Sequence, residues 1–94
     1  MIFLLIKRSR LTTDKLIAPV YFILGGNGTG EGCVITRTRE KSIDLWELGS
    51  DMLHPWFILQ TNCDHFIPAE VFKDERREVG DYCMQEMGQK VCLY

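Results

Sequence analysis

Between two apolar runs stands Gly25-Gly26-Asn27-Gly28-Thr29-Gly30, six residues of which four are glycine. Glycine tolerates the positive φ angles of tight turns, and Asn is the next most permissive residue, so this cluster reverses the chain. Residues 16–24 ahead of it are apolar and rich in Ile, Tyr and Phe, with Pro19 near the start, where a missing donor is tolerated. Residues 32–38 behind it resume with β-branched side chains. The expected local structure is a β-hairpin.

The pattern continues at short spacing. Arg39-Glu40-Lys41-Ser42 is a polar connection, residues 43–48 read as a third strand, Gly49-Ser50-Asp51 as a turn and residues 56–61 as a fourth strand. Four strands so spaced predict an antiparallel meander. Downstream, Val79, Tyr82, Cys83 and Met87 recur at helical spacing, predicting a helix with these four on one face. Asp74 and Glu75 precede it and suit the positive end of its dipole. Gly80 weakens such a helix by about 1 kcal/mol relative to Ala. The fold class is therefore α+β, a meander followed by a helix. One helix cannot cover a four-stranded sheet, so the segment is expected to need the rest of a larger fold.

Composition narrows the function classes. With 94 residues and 46% hydrophobic content the chain can fill one small core, not two. The net charge is -2 and basic residues alternate with acidic ones, so no nucleic-acid face is expected. Cys33, Cys63, Cys83 and Cys92 form no C-x-x-C pair, and His54 and His65 stand at no finger-like spacing from them, so no metal site is expected. The apolar run over residues 2–6 is far too short for a membrane span, and Lys7, Arg8 and Arg10 follow it where a signal peptide would have its charges first. The expectation is an internal or mispredicted start.

Three blocks carry the chemistry: Gly30-Glu31-Gly32-Cys33-Val34-Ile35-Thr36-Arg37, Gln60-Thr61-Asn62-Cys63-Asp64-His65 and Asp74-Glu75-Arg76-Arg77. On chemistry alone Asn62 is a turn residue after a strand, and Arg76 a solvated surface charge. Cys63 and His65, two apart in a strand, would point the same way, and such a pair can form a thiolate. Gly32-Cys33 is a tempting self-cleavage point, but Cys33 reads better as a small buried apolar residue. Asn27-Gly28-Thr29 is a glycosylation sequon in a turn.

In order and spacing these blocks resemble the acid ceramidase family of N-terminal-nucleophile amidases. The run Thr13-Asp14-Lys15-Leu16-Ile17-Ala18-Pro19-Val20-Tyr21-Phe22-Ile23-Leu24-Gly25-Gly26 resembles it too. The family reads Gln-Thr-Asn-Tyr-Asp-Arg-Trp at the second block and Asp-Asp-Arg-Arg at the third. One extra residue here between Asn62 and Arg76 is read as a loop insertion.

The resemblance implies a partial domain over residues 11–87, with an unmatched extension at 1–10 and an unmatched tail at 88–94. It implies part of an αββα sandwich, cut from the β subunit. The nucleophilic Cys would lie upstream, outside this chain. By the same resemblance Asn62 is the oxyanion donor, Arg76 the cation beside the nucleophile, Asn27 a glycan acceptor, and Cys83 a cysteine disulfide-bonded to the α subunit. Without the family, Cys83 reads as a core residue of the helix. The implied substrate is ceramide or another N-acyl lipid, cleaved to fatty acid and sphingoid amine with no metal or organic cofactor. The implied location is the lysosomal or secretory lumen, with lipid contact but no transmembrane span.

Two rivals stand beside this reading. His65 is the residue of the sister family, the N-acylethanolamine acid amidases, whereas the Gly-Cys-Val run, Gln60 and the sequon favour ceramidases. A non-catalytic interaction remnant would equally expose sheet edges and an apolar face. Alone, the chain is expected to be inactive.

Overall fold

The computed structural model describes residues 2–50 and 56–88. Asp51 of the expected turn, His54, Cys92 and residues 89–94 of the tail lie outside them. Contacts divide the chain into two compact units, Met1–Ile58 and Leu59–Tyr94, where composition suggested a single core.

The first unit opens with α1 (Ile2–Thr13), a helix that sequence analysis did not anticipate. The short apolar run is the start of this helix, and Lys7, Arg8 and Arg10, all good helix formers, continue it. At its end the Thr12 and Thr13 hydroxyls donate to the Ser9 carbonyl at 2.8 and 2.9 Å. Such bonds compete with the helical ladder and favour termination.

The hairpin forms as expected. β1 (Val20–Gly25) and β2 (Gly32–Arg37) pair antiparallel from Val20↔Arg37 to Gly25↔Gly32. β1 starts at Val20 rather than Leu16 because Pro19, just before it, cannot donate to a ladder. Gly30, at φ 78°, makes the bend, and the Glu31 carboxylate accepts from Gly28 N at 3.3 Å across the loop. A Cβ at Gly26 would fall 2.0 Å from Glu31 Oε2, so this side chain folds back only over a glycine.

β3 (Ser42–Glu47) pairs with the other edge of β2, giving the order β1-β2-β3, with an irregularity at Thr36/Arg37. β2 is central, and every residue from Cys33 to Arg37 is buried, the signature of a strand covered on both faces. With Phe57 it supplies the buried apolar residues among those described. Cys33, Ile35 and Arg37 share one face by strand alternation. Arg37 reaches α1 from there, and Glu47, opposite Cys33, pairs with Arg8 of α1. Among the described residues the meander thus has three strands, not four. Residues 56–61 have strand-like composition, but a strand exists only through its ladder, and no ladder forms there among the described residues.

In the second unit α2 (Ala69–Phe72) is a single turn after Pro68, ended by Lys73 in the left-handed conformation at φ 53°. α3 (Glu75–Met87) follows, with Asp74 as N-cap and Gly88, at φ 75°, as C-cap. The predicted helix is therefore present. Val79, Tyr82, Cys83 and Met87 do lie at helical spacing, but they are exposed, so the reading of Cys83 as a core residue is wrong. The packed side is instead that of Gly80. A Cβ there would stand 2.6 Å from Leu59 Cδ2, so the missing side chain lets the helix approach Leu59 closely.

Candidate active site

Asn62 and Arg76 both fall in the second unit. Asn62 is exposed, on a bend, and the backbone from 62 to 67 runs through bends and turns rather than a strand. Without a strand here, backbone alternation does not make Cys63 and His65 point the same way. The His65 ring packs edge-on against Phe66, with centroids 5.4 Å apart and an interplanar angle of 81°. Cys63 is a half-buried free thiol.

Arg76 is exposed in the first turn of α3, and among the described residues no hydrogen bond or ion pair holds its side chain. A cation there faces the positive end of the helix dipole, which disfavours it by about 0.3–1 kcal/mol. The neighbouring Arg77 behaves differently. Its Nε donates to Asp74 Oδ2 at 3.2 Å, its Nη1 to the Ile67 carbonyl at 2.6 Å and its Nη2 to the Asp64 carbonyl at 3.0 Å. The role of Arg77 is not legible in the sequence because its carbonyl partners are set by the turn, which has no sequence signature.

Asp74 joins the two parts of the unit. It is 6% exposed. Its Oδ2 accepts from the Thr61 hydroxyl at 2.5 Å, and its Oδ1 accepts from the Arg77 backbone N–H at 3.3 Å. The hydrogen bond from Thr61 and the contacts with Arg77 hold its carboxyl below the usual range, against the opposing effect of burial. An Asp just before a helix is a readable N-cap signal; its bond to Thr61 is not. Gln60 adds a local clasp, its Nε2 donating to the Thr61 carbonyl at 2.6 Å and the Cys63 carbonyl at 3.0 Å. Gln60 Oε1 is buried and has no hydrogen-bond partner among the described residues.

The remaining candidates lie apart in sequence. Asn27 is exposed in the hairpin loop. Cys33 is buried, and burial pushes its thiol up, opposed by Arg8 and reinforced by Glu47. It is therefore a poor nucleophile at neutral or acidic pH, in keeping with a structural role. Cys83 is exposed on α3 as a free thiol.

No protein-family model matches the chain. The chain is, however, similar to acid ceramidases. It is 46% identical to the acid ceramidase of Mus musculus over 84 residues, 88% of this chain and 21% of that protein. It is 43% identical to that of Homo sapiens over 83 residues and 48% identical to that of Rattus norvegicus over 81 residues. The chain spans about a fifth of the length of the curated relatives it matches.

Proposed function

We infer that this chain is an acid ceramidase-like segment, carrying part of the active site of an amidase that hydrolyses N-acyl sphingoid lipids to fatty acid and sphingoid amine. In this reading residues 11–87 form part of an N-terminal-nucleophile sandwich. The attacking thiolate comes from a cysteine outside these 94 residues, with its free α-amine as base. It adds to the amide carbonyl, the sphingoid amine leaves, and water releases the fatty acid from the thioester.

Asn62 supplies a neutral, fixed N–H donor to the oxyanion as charge develops on it. Arg76 supplies a positive charge that favours the thiolate. The observation that carries the reading is the contrast between the adjacent arginines. Arg77 is consumed by the fold, whereas Arg76 stands exposed at an unfavourable helix end in the same unit as Asn62. Arg76 weakens its own helix and takes no part in these hydrogen bonds, which supports a role for it in the chemistry.

The same reading makes Asn27 a glycan acceptor in a lysosomal or secretory lumen. It also makes the exposed Cys83 the cysteine that bonds to an α subunit of the same precursor. No described helix is long and apolar enough to cross a membrane.

The test is an exchange of residues 11–87 for the matching stretch of the Mus musculus relative. The chimera should release fatty acid from a fluorogenic N-acyl sphingoid amide at acidic pH, whereas the 94-residue chain alone should give only background. A folded, processed chimera that cleaved N-acylethanolamines alone would move the assignment to the sister amidases, and one that cleaved neither would refute it.

A further inference from the structure

We propose that Thr61, Asp74 and Arg77 are positioning residues that set the Asn62 loop against the start of α3, and so fix Asn62 relative to Arg76. The catalytic purpose of this clamp rests on the amidase reading above; the clamp itself rests on geometry.

Asn62 and Arg76 are each one residue from a clamp member. Thr61 precedes Asn62, and Arg77 follows Arg76. Adjacent Cα atoms are fixed at about 3.8 Å, so holding Thr61 and Arg77 leaves their neighbours little room to drift. Asp74 bonds both, the hydroxyl of Thr61 on one side and the Nε and backbone N–H of Arg77 on the other. It does so while buried, where charge-assisted hydrogen bonds are strong and leaving the carboxylate unpaired is costly.

The backbone around Asn62 is held on both sides as well. Gln60 binds the Thr61 and Cys63 carbonyls that flank it. Arg77 binds the Asp64 and Ile67 carbonyls at the two ends of the following turn. A loop of bends and turns has no ladder to define its shape, so these side chains define it. An oxyanion donor needs that fixity, since a misplacement of about 1 Å can cost on the order of 100-fold in rate.

The geometry also explains why two arginines stand in succession. Arg77 uses three nitrogens in fixed directions, on one carboxylate and two carbonyls. A lysine has a single point of donation and cannot reproduce this fork. Arg76 does none of this work and is left available.

Two measurements decide the matter. In the full 94-residue chain, Thr61→Val and Arg77→Met should speed amide hydrogen exchange at Ile67, whose N–H donates to the Asp64 carbonyl that Arg77 also binds, by at least tenfold, with Val34 and Ile35 unchanged. Arg76→Met should leave all of these unchanged. In the chimera, Thr61→Val and Arg77→Met should lower kcat per folded molecule by about 10–100-fold with KM within about threefold. Arg77→Lys should restore only part of the loss. Unchanged exchange at Ile67 in both variants overturns the clamp. Activity that falls only in step with the folded fraction, at constant kcat per folded molecule, overturns the positioning role. If exchange responds as expected but Asn62→Ala and Arg76→Met keep parental kcat, the amidase reading fails, and the clamp survives as a structural device without catalytic purpose.

Discussion

The two units are each organised around an arginine that donates to backbone carbonyls, yet they depend on it differently. In the first, the Arg37 Nη atoms donate to the Leu11 and Asp14 carbonyls, both at 2.5 Å, and so cap the C-terminal end of α1. That is the favourable end of the dipole for a cation. In the second, Arg77 ties the Asp64 and Ile67 carbonyls to the carboxylate of Asp74. The first unit also buries Cys33, Val34, Ile35 and Phe57. In the second, Asp74 is the buried residue among those described. A sheet with apolar burial can keep its strand pairing when Arg37 is lost, so that loss should fall on α1 and on overall stability rather than on the sheet. A loop and helix held mainly by a carboxylate and a guanidinium should instead respond to charge, to pH and to single polar substitutions.

The largest expected effect tests the sheet unit. Arg37 is 2% exposed, so Arg37→Met would leave two carbonyls at the end of α1 without their donors. Hydrogen bonds to charged groups contribute about 1.5–3 kcal/mol each, and the methionine recovers some packing, so a loss of about 3 kcal/mol is expected. Chemical denaturation followed by far-UV circular dichroism should show it, with helix signal lost first. Retention of both α1 and parental stability would mean that the cap is incidental, and the parallel with Arg77 would break.

The next effect concerns pH and the second unit. A carboxyl whose folded pKa is depressed contributes stability that is fully present above its ordinary pKa and is lost as pH falls through the folded value. Asp74 is depressed chiefly by the Thr61 hydrogen bond. The clamp should therefore stay closed in acid where an unpaired Asp would already be protonating, and open only at still lower pH. Thr61→Val should raise the Asp74 carboxyl towards the ordinary range and move the opening to higher pH. Carbon-detected NMR titration of the Asp74 carboxyl reads this directly. A titration unmoved by Thr61→Val would show that the clamp does not control the carboxylate.

The smallest effect lies on α3. Gly80→Ala gains about 1 kcal/mol of helix propensity. It also forces aside the Leu59 methyl that a Cβ would meet at 2.6 Å. A displaced side-chain rotamer costs about 0.5–1.5 kcal/mol, so the net change should lie within about 1 kcal/mol of zero. Gly80→Val adds bulk at the same point and should be clearly destabilising by thermal melting. If Val were tolerated as well as Ala, the close approach to Leu59 would not be a feature of the folded unit.

These effects also show what could be read in the sequence. The Gly-rich turn and its flanking apolar runs predict β1 and β2 because hairpin information is local, and the spacing of β3 adds the meander. The helix at α3 is legible from its period and from Asp74 ahead of it. Residues 56–61 have the composition of a strand without its partner, and no local pattern distinguishes the two. The outward direction of Val79, Tyr82 and Met87 was hidden because periodicity finds a face but not what lies against it. α1 was missed because its C-terminal cap is Arg37, far along the chain. Asn62 and Arg76 were singled out through the family motif, whereas Thr61 and Arg77 acquire meaning only through contacts made by the folded loop.

The central claim is that this segment brings an oxyanion donor to an amidase active site, and the most direct measurement is the kcat of the Asn62→Ala chimera at acidic pH. Removing a single such donor should lower kcat by about 100-fold or more while KM changes little. A chimera that folds, matures and keeps parental kcat without the Asn62 amide would contradict the account.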